Sequence, residues 1–224
     1  MLKNASVKDV CDVVVVGGGA AGVGVGVALT HAGVENFMIL ERHEVGGSFA
    51  RWPDEMRFIT PSFPTNSIGM LDINSVAIGA SPAFALQVEH PTGKQYAEHL
   101  QAIVEVFGLK VREKIDVTRI MPVDDLFHIE TSAGDYRAKH VIWAAGDFQY
   151  PKLDGFEGSE HCRHIATIPS YAELEGDSFV VIGGYESGVD AAYNLAKRGK
   201  QVLLFDAECP WELETSDPSV ALST

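Results

Sequence analysis

The apolar pattern of the chain opens with four consecutive valines, Val13-Val14-Val15-Val16, that stop at three glycines. A continuous β-branched run of this kind suits a strand buried on both faces of a parallel sheet. Small and apolar residues then predict a helix from Ala20 to about His31, ended by Ala32-Gly33. Phe37-Met38-Ile39-Leu40 predicts a second strand that finishes on Glu41. Further on, Phe127 to Thr131 and Tyr136 to His140 predict short strands around a turn at Gly134, leading into Val141-Ile142-Trp143-Ala144-Ala145-Gly146. After a stretch punctuated by proline and glycine, Pro151 to Gly176, the first pattern restarts. Strand Phe179 to Ile182, a helix to about Arg198 and strand Val202 to Phe205 end on Asp206. The expected fold class is α/β: a parallel sheet with a β-meander, followed by the start of a second unit of the same kind.

The turn after each first strand carries the candidate chemistry. Gly17-Gly18-Gly19-Ala20-Ala21-Gly22 fits GxGxxG, where Gly17 turns the chain, Gly19 leaves room for a pyrophosphate and Gly22 lets the helix meet the strand. The helix that follows aims its N-terminal amides at the phosphates. Glu41, 19 residues after Gly22, can accept hydrogen bonds from an adenosine ribose and would repel a 2'-phosphate, so FAD or NAD fits better than NADP. Strand, glycines, helix, second strand and terminal acid together predict a Rossmann-like dinucleotide-binding unit; the alternative is a glycine-rich helix entry without a ligand. The second turn, Gly183-Gly184-Tyr185-Glu186-Ser187-Gly188, repeats the pattern, with Tyr185 where the second glycine is expected. Asp206, 18 residues after Gly188, would accept from a ribose 2'-hydroxyl and favours NADH over NADPH.

Charge and composition narrow the partners. The chain of 224 residues has 17 basic and 31 acidic side chains and a formal net charge of -14, which would repel nucleic acid and anionic membrane surfaces. The uncharged stretch Val13 to Val34 has GxxxG spacing at Gly18, Gly22 and Gly26, as in some membrane helices. Its valine run broken by Gly17-Gly18-Gly19 instead describes a buried strand, a tight turn and a helix packed on a sheet. Neither a signal peptide nor a membrane span is expected. The cysteines, Cys11, Cys162 and Cys209, are odd in number and form no CxxC, which suits reduced thiols in a cytoplasmic protein. His161 and His164 lack further ligands nearby, so no metal site is expected. A small-molecule substrate is the expected partner, with homo-oligomer formation left open.

Glu41-Arg42, Gly46-Gly47-Ser48-Phe49 and Trp52 resemble the FAD-wrapping segment of flavin-dependent oxidoreductases with two dinucleotide-binding domains, the pyridine nucleotide-disulfide oxidoreductase superfamily. The continuation Trp52 to Phe63 is similar to the branch of flavin-containing monooxygenase-like proteins and bacillithiol-disulfide reductases, where it lies near the isoalloxazine. Ala144-Ala145-Gly146 resembles the family's ATG-like crossing back into the FAD sheet. The resemblance implies FAD contacts at Gly17, Gly19, Ala20, Ala21, Gly22, Glu41, Arg42, Gly47, Ser48, Trp52, Thr60, Val117, Ala145 and Gly146, with Val117 pairing with adenine through its backbone. It implies NADH or NADPH contacts at Gly183, Tyr185, Glu186, Ser187, Gly188 and Asp206.

On the same resemblance, residues 1–150 are an FAD-binding domain, 151–176 a connecting segment and 177–224 an incomplete NAD(P)H-binding domain. The expected activity is FAD-dependent: NAD(P)H reduces flavin, which passes electrons to a small acceptor such as a low-molecular-weight disulfide. A monooxygenase and a non-catalytic nucleotide-binding module or inactive fragment are the alternatives. No catalytic acid or base is assigned; Phe156-x-Gly158-x-x-His161 partly resembles the FxGxxxH motif, with His161 one position early and His164 the other match. The segment Glu208 to Thr224 turns polar before a third strand, so the chain reads as the N-terminal part of a longer enzyme, a natural short form being the alternative. One face of each strand in the second unit is then expected to stay bare.

Overall fold

The computed structural model describes residues 10–63, 72–147 and 149–208. The first unit runs β1 (Cys11–Val16), α1 (Ala20–His31), β2 (Phe37–Leu40), α2 (Gly47–Ala50), α3 (Pro82–Ala85), α4 (Gly93–Phe107), β3 (Val111–Arg112), β4 (Val117–Val123), β5 (Leu126–Thr131) and β6 (Tyr136–Trp143). Its six strands lie in the order β3-β2-β1-β6-β5-β4. The first four are parallel, and β6, β5 and β4 form the antiparallel meander. This is the predicted Rossmann-like arrangement. The strand predicted over Tyr136 to His140 continues without a break to Trp143, so one strand serves both the meander and the parallel sheet.

Burial on both sides of β1 follows from its period of two. Val13 and Val15 join Val23 and Val27 of α1 and Tyr96, Leu100 and Ile103 of α4 in one core. Val14 and Val16 join Ile129, Tyr136 and Ala138 of the meander in another. The glycines of α1 serve this packing. A Cβ on Gly26 would stand 2.9 Å from Ile39 Cδ1 and 3.0 Å from Leu109 Cδ1, so the GxxxG spacing sets a helix close on a sheet. No helix among the described residues is long and apolar enough to cross a membrane.

Helix α4 lies where the periodicity above predicts no element. Its N-terminus is fixed by a capping box, in which Thr92 Oγ1 accepts from the Gln95 amide (3.2 Å) and Gln95 Oε1 from the Thr92 amide (2.9 Å). Gly108, at φ +60°, ends it.

The second unit contains β7 (Ser178–Ile182), α5 (Glu186–Lys197) and β8 (Gln201–Phe205), with β7 and β8 parallel. Phe179, Val181 and Val202 pack towards Ala191 and Leu195 of α5 and towards Tyr171. No described residue covers the opposite face, as expected: Val180, Ile182, Leu203 and Phe205 keep 58, 59, 63 and 56% of their surface exposed. The polar segment from Cys209 to Thr224 lies outside the described residues.

Candidate functional site

Each glycine turn has a glycine at positive φ, a second glycine packed on its carbonyl and a strand-end acid accepting from a turn amide. In the first, Gly17 takes φ +112°, and a Cβ there would collide with the Ala144 carbonyl oxygen. A Cβ on Gly22 would collide with the Gly17 carbonyl oxygen. Both positions therefore require glycine for the turn itself. The space beside Gly19 is different: nothing lies within 4 Å of the position its Cβ would occupy. Its backbone, φ -80° and ψ -168°, is one any residue adopts, so the absent side chain leaves room next to the free amides at the start of α1.

The acid at the end of β2 is tied into this turn. Glu41 Oε2 accepts from the Gly18 amide at 2.6 Å and Oε1 from the His43 amide at 2.7 Å. The Gly18 carbonyl in turn accepts from the Gly46 amide at 3.0 Å, which brings the Gly46-Gly47 loop and α2 against the glycine turn. Gly46, at φ +73°, sits so close to α4 that its Cβ would lie 2.7 Å from Ala97 Cα. On the other side, the Ala144 amide donates to the Val16 carbonyl (2.8 Å), carrying Ala145 and Gly146 along the turn. Arg42 donates to the Tyr150 hydroxyl at 2.7 Å. The structure thus ties Gly17, Gly18, Gly22, Glu41, Gly46 and Ala144 into one turn at the start of α1.

Three of the sequence-assigned positions stand further out. Trp52 packs in an aromatic cluster with Phe49 and Phe58, at ring separations of 5.3 and 5.1 Å, and Tyr96 of α4 completes it. Thr60 is exposed, and its carbonyl accepts from Asn74 Nδ2 at 2.9 Å. Val117 begins β4 and packs on the core that holds Val16 and Leu40, the last residues of the strands flanking the turn.

A buried polar network braces Thr60: Asp72 accepts from Ser81 Oγ (2.6 Å) and the Asn74 amide (2.9 Å), while Tyr96 donates to the Asn74 carbonyl (2.7 Å). Burial, helped by the Asp72 charge, pushes the Tyr96 hydroxyl up to about 12, so it remains a donor. Burial also pushes His99 below its ordinary value, against the Ala80 carbonyl and Asp72, which favour its charged form.

The second turn repeats the glycine and acid contacts of the first but not the Ala144 crossing, since nothing lies within 4 Å of where a Cβ on Gly183 would stand. Gly183 takes φ +100°, and a Cβ on Gly188 would collide with the Gly183 carbonyl oxygen. Asp206 Oδ2 accepts from the Gly184 amide at 2.6 Å, and Oδ1 from the Glu208 amide at 2.8 Å. Tyr185 starts α5 at φ -87° and ψ -168°, the backbone of Gly19, so its side chain strains nothing. Its ring, half exposed, stands beside the helix entry with Glu186 and Ser187. His164 Nδ1 accepts from the Ala166 amide (3.2 Å), a structural cap, and His161 is a surface residue 3.7 Å from Glu160. Among the described residues no group of three His, Cys, Asp or Glu could hold a metal ion.

Paired glycine turns, each closed by a strand-end acid on a parallel sheet, match one family model over residues 14–224: pyridine nucleotide-disulphide oxidoreductase. The chain belongs to this family. Among its curated relatives, an uncharacterized oxidoreductase CzcO of Bacillus velezensis is 26% identical over 83% of this chain and 52% of its own length. A Baeyer-Villiger monooxygenase of Streptomyces coelicolor is 28% identical over 99% of this chain and 42% of its own. Bacillithiol disulfide reductase Bdr of Staphylococcus aureus has a similar fold, with a TM-score of 0.66 at 21% identity, over 95% of this chain and 62% of that one. The relatives are named oxidoreductases, reductases and monooxygenases, so the family is one of flavin oxidoreductase enzymes. The chain spans about half the length of the curated relatives it matches.

Sequence reasoning missed Glu55. Its carboxylate accepts from Ser170 Oγ (2.8 Å), the Tyr171 amide (3.0 Å), the Ala172 amide (3.1 Å) and Arg198 Nη2 (2.7 Å). Burial opposes its charge, but the Tyr171 amide, Ser170 and the Ala172 amide hold the carboxyl below its ordinary value. Behind it, Tyr171 donates to Asp190 Oδ2 at 3.2 Å. Burial, with the Glu55 charge, pushes Asp190 up to about 6 against hydrogen bonds from Tyr171 and Asn194. No local motif marks Glu55, because its partners lie more than a hundred residues away.

Proposed function

We propose that the first turn holds FAD and the second NADH or NADPH, and that the protein passes reducing equivalents from nicotinamide through flavin to a small-molecule acceptor. The observation that carries this reading is the open space beside Gly19, framed by the α1 amides, the Glu41 carboxylate and the Gly46-Gly47 loop. Flavin, when bound, supplies the redox chemistry: it accepts hydride from nicotinamide and gives electrons to an acceptor. The chain binds and orients. Gly17, Gly19, Ala20, Ala21 and Gly22 would line the pyrophosphate and Glu41 the ribose. Arg42, Gly47, Ser48, Trp52, Thr60, Val117, Ala145 and Gly146 would contact the rest of FAD.

At the second turn, Gly183, Tyr185, Glu186, Ser187, Gly188 and Asp206 would hold the nicotinamide nucleotide. Asp206 presents its carboxylate at the turn, which favours the 2'-hydroxyl of NADH over the 2'-phosphate of NADPH. Residues 1–150 would then be the flavin domain, 151–176 the connection and 177–224 the beginning of the nicotinamide domain. Without a CxxC pair, electrons would leave the flavin directly, with a low-molecular-weight disulfide as the fitting acceptor. The likeness to a monooxygenase over nearly the whole chain favours oxygen as a second acceptor class.

The test is spectroscopic. The protein should purify with, or take up, oxidised flavin, which NADH should bleach faster than NADPH. Recovery of colour on adding a disulfide supports a reductase, and recovery on adding oxygen with substrate hydroxylation supports a monooxygenase. An absorbance spectrum unchanged by FAD would remove the reading altogether.

A further inference from the structure

Five hydrogen bonds join the Trp52-to-Phe63 segment of the first unit to the second, and they converge on two adjacent residues. Glu55 accepts four of them, from Ser170, Tyr171, Ala172 and Arg198, and the Asp54 amide donates the fifth to the Pro169 carbonyl at 2.9 Å. Only 13% of the Glu55 side chain is exposed. Its partners belong to the second unit by their packing. Tyr171, 1% exposed, sits in the core with Ala191 and Leu195 of α5, and Arg198 ends α5, donating to the Asn194 carbonyl at 3.0 Å. The Glu55 segment is itself tied to α4: Asp54 pairs with Lys94 at 2.6 Å, and the Phe58 amide donates to the Pro91 carbonyl at 3.0 Å.

From this geometry we infer that Glu55 is the anchor fixing the second unit on the first, a positioning residue for hydride passage between the two nucleotides. The role in hydride passage rests on the function proposed above; the anchor itself does not. Glu55 grips the C-terminal end of α5, while the Gly183-to-Gly188 turn lies at the N-terminal end. A helix of 12 residues separates them, about 18 Å, so Glu55 touches no nucleotide at that turn. Its leverage is large for the same reason: a rotation of about 10° about the anchored end shifts the turn by about 3 Å over that length. Shifts of about 1 Å already slow reactions that depend on a near-attack geometry.

The experiment uses the whole chain with Cys162 and Cys209 changed to serine and nitroxide labels on Glu105→Cys in α4 and Lys197→Cys in α5. The parent should give one narrow label-to-label distance. Glu55→Gln and Arg198→Met should each broaden it while leaving the circular dichroism of both units intact. Amide exchange at Tyr171 and Ala172 should rise by about tenfold or more, the loss expected for charge-assisted hydrogen bonds. In the flavin-loaded protein, both variants should slow flavin reduction by NADH and leave the Kd for NADH unchanged. Unchanged distance and exchange in both variants would overturn the anchor. So would loss of secondary structure in both, which would make the cluster part of a core. A broadened distance with unaltered flavin reduction would overturn the positioning role. A parent that binds FAD but is not reduced by NADH would sink the function proposed above, and the distance measurement would still decide the anchor.

Discussion

Gly19 and Tyr185 occupy equivalent places with nearly equal backbone angles, so the glycine at the first turn serves space, not conformation. This separates two kinds of glycine by experiment. Gly19→Val should abolish flavin retention yet cost about 1 kcal/mol or less in stability, as expected for a helix entry with open room around it. Gly22→Ala should unsettle the fold itself, because its Cβ would collide with the Gly17 carbonyl. Flavin content and melting temperature of the two variants check the contrast; equal destabilisation would remove it. At the second turn, Asp206→Ala should relax discrimination against NADPH, measured as the ratio of kcat/KM for the two nucleotides. An unchanged ratio would place specificity elsewhere. Glycines and acids at the strand ends were legible because the whole constellation fits within about thirty residues. Glu55 was not legible, because nothing near it in sequence sets its environment: four donors from residues 170–198 do.

The elements differ in how openly they declare themselves. Strands β1, β2, β7 and β8 are read from apolar runs, and α1 and α5 from the glycine turns that precede them. Helix α4 carries an apolar stripe at helical spacing, Tyr96, Leu100 and Ile103, but no glycine turn announces it, and its start is marked only by the capping box. Strand β4 contains Pro122 and buries no residue fully, features of an edge strand, which β4 is. Burial makes the elements unequal in energy as well. Leu100→Ala, at a fully buried site of α4, should cost about 2–5 kcal/mol. Leu203→Thr, on the bare face of β8, should cost about 0.5 kcal/mol or less. Denaturant titration checks both, and a large loss at Leu203 would mean that this face is covered. The same bareness predicts faster amide exchange in β7 and β8 than in β1 and β6.

At the scale of the molecule, two titrating groups where the units meet pull stability in opposite directions. Asp190 is raised to about 6 from 3.8, so the folded chain binds more protons between those values and stability falls as pH rises through that window. Glu55 is lowered, so its contribution is present above its ordinary 4.5 and is lost as pH falls through the folded value. Asp190→Asn should therefore flatten the drop in melting temperature between about pH 4 and about pH 6, leaving the loss from Glu55 on the acid side in place. A drop of undiminished size in the variant would remove Asp190 from the account.

The central claim is that the first glycine turn is a flavin site whose capacity depends on the empty space at Gly19. Its most direct test is flavin retained after mixing with FAD and gel filtration, measured side by side for the native chain and Gly19→Val. The account predicts stoichiometric flavin in the native chain and none in a variant that remains folded. A native chain that retains no flavin, or a variant that retains as much, would contradict it.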